Sequence, residues 1–117
     1  MKNYLFILTK PAHSGAYTQE ILDIILTTAA FDQPVTILWL DDAIFQLKQH
    51  QQPEKHSKDI AAILQSLELY DITELYIETE SLIERGLTQQ QLNLPIKLIS
   101  RNTISEFINQ YSVIFTS

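Results

Sequence analysis

Two short runs, residues 4–9 (YLFILT) and 35–40 (VTILWL), constrain the fold of this chain more than any other feature. Both are rich in β-formers and apolar at nearly every position. A strand with one wet face alternates apolar and polar side chains. A run without alternation belongs to a strand covered on both faces, as in a parallel sheet. Shorter runs of the same kind recur at 75–78, 96–99 and 112–116. Helical spacing fills the intervals. A helix is expected from about Ala16 to Phe31, with Thr18 as a candidate N-cap. Its apolar residues, from Ile21, Leu22, Ile24 and Ile25 to Ala30, cover more than one narrow stripe. Such a helix is either central in the fold or partly covered by another subunit. A short helical turn is expected at 43–47. A helix over 58–69 would place Ile60, Ile63, Leu64 and Leu67 on one face. A short helix at 81–85 would be closed by Gly86 at C′. A last helix at 103–110 would carry Ile104, Phe107 and Ile108 inward, capped by Ser100 or Asn102. Strands alternating with helices imply one three-layer α/β domain over residues 1–117. Its mostly parallel five-stranded sheet would have helices on both faces, flavodoxin-like or a close variant.

The 117 residues, 45% of them hydrophobic, suffice for a single core. A net charge of −6, with eight scattered Lys and Arg, argues against a broad phosphate-binding surface, so no direct nucleic-acid binding is expected. Zero cysteines exclude a disulfide framework, a thiolate zinc site and a cysteine nucleophile. The N-terminal MKNYLFILTK lacks the long apolar region and cleavage site of a secretory signal. No segment approaches the ~20 apolar residues of a membrane span. The chain reads as soluble and cytoplasmic, without a membrane partner.

Each motif that suggests chemistry has a plain structural reading beside it. The loop KPAHSGAYT after the first strand has a single glycine, Gly15, and no phosphate-cradling pattern. Ser14 and Thr18 are a weak hydroxyl signal for flavin. Asp41-Asp42 suggests a phospho-acceptor or Mg²⁺ site, but the end of the first strand offers no further carboxylate, and a helix-capping role serves as well. His13, His50 and His56 form no helical metal pair. His13 beside Ser14 lacks a third orienting group, as a triad requires. At the junction LYIETESLIERGL, Glu78 and Glu80 stand two apart at the end of the third strand. Paired carboxylates do acid–base work, yet helix N-termini also favour acidic residues. Ser81 is the second candidate hydroxyl nucleophile. These motifs imply no catalytic residue, cofactor or metal.

Apolar excess is the feature above background. Ile44, Phe45 and Leu47 precede a polar stretch at 48–58, and Ile24 and Ile25 lie on the broad apolar helix. Contiguous exposed apolar surface marks a partner site, so these five residues are the candidate interface.

Several segments together resemble the DsrE/DsrF-like family: PAHSGAYTQEILD after the first strand, DDAIFQL after the second, then LYDITELYI and SLIERGL. The most specific pieces are Phe45-Gln46-Leu47, Leu69-Tyr70-Asp71-Ile72 and Glu84-Arg85-Gly86. The resemblance covers nearly the whole chain, and within the family it is most like one subunit of a sulfur-relay complex. It implies a heterohexamer with TusB-like and TusD-like partners, two copies of each chain. That complex relays persulfide sulfur toward 2-thiolation of the tRNA wobble uridine, linked indirectly to a sulfur carrier and a tRNA thiolase. The TusD-like subunit carries the reactive cysteine near the end of its third strand. Here the corresponding residues are Ile77-Glu78-Thr79-Glu80, which cannot accept sulfane sulfur. The implied role is non-catalytic. The open alternatives are a dissimilatory sulfur-oxidation subunit of the same family, a nucleotide- or flavin-binding module, and a hydrolase using Ser14 or Ser81.

Overall fold

The computed structural model describes residues 2–11, 17–47, 64–92 and 95–116. Among the described residues there are five strands: β1 (Tyr4–Leu8), β2 (Val35–Trp39), β3 (Glu74–Glu78), β4 (Lys97–Ile99) and β5 (Val113–Thr116). They form one sheet in the order β4-β3-β2-β1-β5, and every adjacent pair is parallel. The described helices are α1 (Tyr17–Ala30), α2 (Thr79–Glu84) and α3 (Ile104–Ile108). Short 3-10 segments occupy Asp41–Leu47, Glu68–Tyr70, Gln89–Gln91 and Arg101–Thr103.

The expected three-layer α/β domain is thus present. Its strand order is a variant of the flavodoxin-like order 2-1-3-4-5. The chain steps outward from β1 to β4 and then returns past β1 to β5. Right-handed crossovers put connections that step in one direction on one face, and a connection that reverses on the other. The side chains follow this rule. Phe6, Leu8, Ile37, Trp39, Leu75 and Ile77 join Leu22 and Ile25 of α1, Ile44 and Leu47, and Leu82 of α2 in the larger core. Leu5, Ile7 and Leu38 face Phe107 of α3 in a smaller one. Period-2 alternation divides each strand between the two faces, which is why β1 and β2 need apolar residues throughout. The burial of Val35 through Trp39 without a break is the same requirement seen in the structure.

Element ends moved by a residue or two. Thr18 lies inside α1 and not at its N-cap. The last helix splits into a 3-10 turn and the short α3, with no side-chain cap bond from Ser100. Helix α2 ends as expected. Gly86 adopts φ 67° at C′. The amides of Gly86 and Leu87 bond the carbonyls of Ile83 (3.0 Å) and Leu82 (3.1 Å), a Schellman closure with Leu82 and Leu87 both buried. The polar stretch 48–58 and most of the helix expected at 58–69 lie outside the described residues. At the described end of that segment, Leu64 and Leu67 are buried in the larger core.

Candidate functional site at the β3–β4 switch point

In an open α/β sheet, ligands bind beyond the carboxyl ends of neighbouring strands whose connections leave to opposite faces. Here β3 and β4 are such a pair, because β3 leads to α2 on the larger-core side and β4 leads to α3 on the other. Glu78 closes β3. Alternation from Glu74 and Tyr76 puts its side chain on the α3 face, opposite Ile99 in the register. On α2, Glu80 and Glu84 are four residues apart and share a ridge, and Arg85 follows directly as the C-cap. Arg101 opens the turn after β4.

These residues form one connected network. Glu78 Oε1 accepts Arg101 Nη2–H at 2.7 Å and Nε–H at 3.1 Å. The Ser81 hydroxyl donates to the same Glu78 oxygen and accepts the Asp41 amide at 3.1 Å. Glu84 accepts from Arg101 Nη2 at 2.9 Å and from Nη1 at 3.2 Å. Glu80 accepts the Arg101 backbone N–H at 2.9 Å. Arg85 bonds Asp42 through Nε at 3.1 Å and the Ser81 carbonyl through Nη1 at 3.2 Å. The Thr79 hydroxyl reaches the carbonyl of Ile99 at 3.3 Å. Further along the same edge, Trp39 Nε1–H donates to Gln46 Oε1 at 3.2 Å, and Gln46 Nε2–H donates to the Lys10 carbonyl at 2.7 Å. The segments following β1, β2, β3 and β4 are tied side to side by these bonds.

The electrostatics match the contacts. Burial pushes the Glu78 carboxyl up, but hydrogen bonds from Arg101 and Ser81 outweigh it and hold the group below the usual carboxylate range. The Arg101 hydrogen bonds lower Glu84 as well. Bonds to Glu78 and then Glu84 raise Arg101, so it is charged at any working pH. The network therefore persists as ions at neutral pH.

This arrangement answers the chemical readings of the junction. The Glu78 side chain is 7% exposed and its acceptor is committed to Arg101 and Ser81; Glu80 holds the backbone of the turn. Both act as anchors here. Ser81 has no exposed surface, so an ester cannot reach it. Asp41 and Asp42 are exposed and face Arg85, at 4.0 Å and 3.1 Å. Among the described residues, no group of three or more His, Cys, Asp and Glu is placed to hold a metal. His13, Ser14, Gly15, His50 and His56 lie outside the described residues, and with them the loop weighed for phosphate or flavin.

Of the five candidate interface residues, Ile25, Ile44 and Leu47 are fully buried within the chain's own core. They complete the packing under the 3-10 segment and α1, so the fold leaves them no surface to offer a partner. Phe45 is partly buried against the same core. Ile24 is 46% exposed, and a groove of about 530 Å³ sets it beside Tyr4, Phe31 and Phe115. Phe31 and Phe115 escaped the sequence reading because one was placed at a helix end and the other inside a buried strand. β5 is an edge strand, which exposes what a central strand would hide. Arg101 and Gln46 were also missed as site residues. An arginine directly after the fourth strand, facing carboxylates after the third, was the available signal.

The DsrE/DsrF-like family model matches residues 2–116. A protein named TusC homolog from Pseudomonas aeruginosa is 35% identical over 116 residues, covering 98% of each chain. A TusC homolog from Haemophilus influenzae is 33% identical over 114 residues, 95% of this chain and 96% of that one. The intracellular sulfur oxidation protein DsrF of Allochromatium vinosum is 33% identical over 115 residues, 97% of this chain and 84% of that one. The crystal structure of the ychN protein from E. coli matches with a TM-score of 0.85 over the whole of both chains. At 11% identity this likeness bears on the fold.

Proposed function

Because the chain belongs to the DsrE/DsrF-like family, we propose that it is a non-catalytic subunit of a heteromeric sulfur-relay complex serving 2-thiolation of the tRNA wobble uridine. The observation that carries this reading is the absence of any cysteine from the 117 residues. A relay passes sulfane sulfur from thiolate to thiolate, and no oxygen or nitrogen side chain can hold a persulfide. The groups at the end of β3 are also committed to one another, which supports a scaffolding role. On this reading the cysteine-bearing step belongs to a TusD-like partner, with a TusB-like chain completing a cytoplasmic heterohexamer of two copies each. Contact with the sulfur carrier and the thiolase is then indirect. Among the described residues no helix is long and apolar enough to cross a membrane.

Deleting the gene in its own organism tests the proposal. The expected result is loss of 2-thiouridine from the affected tRNAs, restored by the intact chain and equally by Ser81→Ala. Full thiolation in the deletion strain would overturn it. The second reading, dissimilatory sulfur oxidation, is favoured by the DsrF relative at 33% identity. It predicts normal tRNA thiolation and impaired oxidation of stored sulfur in the same strain.

A further inference from the structure

We infer that the free edge of β5, with the groove beside it, seats a second copy of this chain, paired strand to strand about a two-fold axis. The contact is one of the chain with itself and does not depend on the sulfur-relay role proposed above. Both edges of the sheet are open among the described residues, and they are built differently. β4 carries the usual guards of an edge. It is three residues long, Pro95 stands two residues before it, and its Lys97 reaches Glu74 at 3.0 Å. β5 has neither charge nor proline over Val113–Thr116. Its Ile114 and Phe115 are 42% and 45% exposed, one on each face. An apolar edge of this kind is a template for a further strand.

The surface beside the edge suits a copy of itself. Across the groove of about 530 Å³, Ile24 and Phe31 of α1 stand with Tyr4 and Phe115. Phe115 is held in place by stacking on Phe6, with ring centroids 5.0 Å apart and planes 9° from parallel. The hydroxyls of Thr27 and Thr28 are turned back onto their own helix, each donating to a carbonyl at 2.8 Å, so these walls offer a polar ligand little. Phe31 is 73% exposed. One patch thus holds a hollow, a projecting ring and an open strand edge, as a surface must that meets itself in an isologous contact.

Charge and area agree. At a net charge of −6, two copies repel overall. From Ile24 to Phe31 and from Phe107 to Ser117, however, there is no Asp, Glu, Lys or Arg, so these segments oppose no like charges when they meet. Asp23 is the one charged group among the described residues lining the groove. Ile24, Phe31, Ile114 and Phe115 together expose on the order of 400 Å² of apolar surface, taking about 200 Å² for a fully exposed side chain of this size. One side of a standard interface covers about 800 Å², a little over half of it apolar. The patch supplies the apolar part of one such contact. A two-fold axis normal to the sheet runs the two β5 strands antiparallel. It puts Val113 and Phe115 of both copies on the α1 side and Ile114 of both on the other.

The chain alone provides the test. Sedimentation equilibrium is expected to give twice the 13.5 kDa of one chain at micromolar concentration. Ile114→Lys and Phe31→Glu, both at exposed positions, are expected to raise the dimer dissociation constant at least about tenfold with an unchanged circular dichroism spectrum. Leu98→Lys on the β4 edge should leave it as it is. Single cysteines placed in turn at positions 113 to 116 locate the contact in this cysteine-free chain. Under mild oxidation the one nearest the axis joins its own copy, and a cysteine at position 98 does not. If the chain does not fold alone, the same crosslink is read in the co-expressed complex. A chain monomeric up to millimolar concentration would overturn the inference, as would a dimer untouched by both Ile114→Lys and Phe31→Glu. So would cysteines on β5 that join a different subunit and never their own copy. Thiolation of tRNA enters none of these outcomes, so this contact and the subunit role fail separately.

Discussion

Trp39 and Gln46 are both buried, and the bond between them carries the 3-10 segment Asp41–Leu47 back over the end of β1. Gln46→Leu keeps the volume but leaves the indole N–H unpaired inside the core. The expected cost is about 1–3 kcal/mol, read as a lower urea midpoint with unchanged slope. Glu78 gives a pH-dependent counterpart. Its folded pKa lies below the unfolded value of about 4.3, so its contribution is complete above that value and is lost as pH falls through the folded pKa. Thermal unfolding from pH 7 to pH 3 should show the native chain losing stability at the acid end. The Glu78→Gln variant should be less stable at pH 7 and show a flatter profile. Glu78, Glu80 and Ser81 were legible in the sequence as a cluster. What they do was not, since their partner Arg101 is about twenty residues away and adjacency of β3 and β4 is a property of the sheet.

Among the elements, the strands were the most legible. Near-continuous apolarity in β1 and β2 can be satisfied only between two covered faces, and both strands form where the runs occur. The ends of short helices were less so. Caps are local bonds that compete within a residue or two, and at Ser100–Thr103 the side chains bond one another instead of capping α3. Gly86 is the exception, because its left-handed φ is a steric demand readable from one residue. A Cβ at Gly86 would meet nothing within 4 Å, so the cost of Gly86→Ala is conformational alone. About 1 kcal/mol is expected from the left-handed penalty, measurable by denaturant titration. A much larger loss would mean that α2 depends on contacts absent from this account.

At the scale of the molecule, the sequence carried the layer architecture but not the strand order, since crossover lengths do not say on which side of β1 the last strand inserts. That insertion puts β5 at an edge and leaves Phe115 exposed beside Ile24 and Phe31. A subunit of a heteromeric complex would cover such apolar surface. Phe31→Glu is therefore expected to leave the circular dichroism spectrum unchanged and to weaken assembly at least tenfold. Normal assembly by that variant would move the contact to another face. The central claim, that this cysteine-free chain works as a subunit beside cysteine-bearing relatives, is tested most directly by native mass spectrometry after co-expression with the TusB-like and TusD-like chains of the proposal. The account predicts one complex holding two copies of each chain. Recovery of this chain as a free monomer, beside partners that assemble without it, would contradict the account.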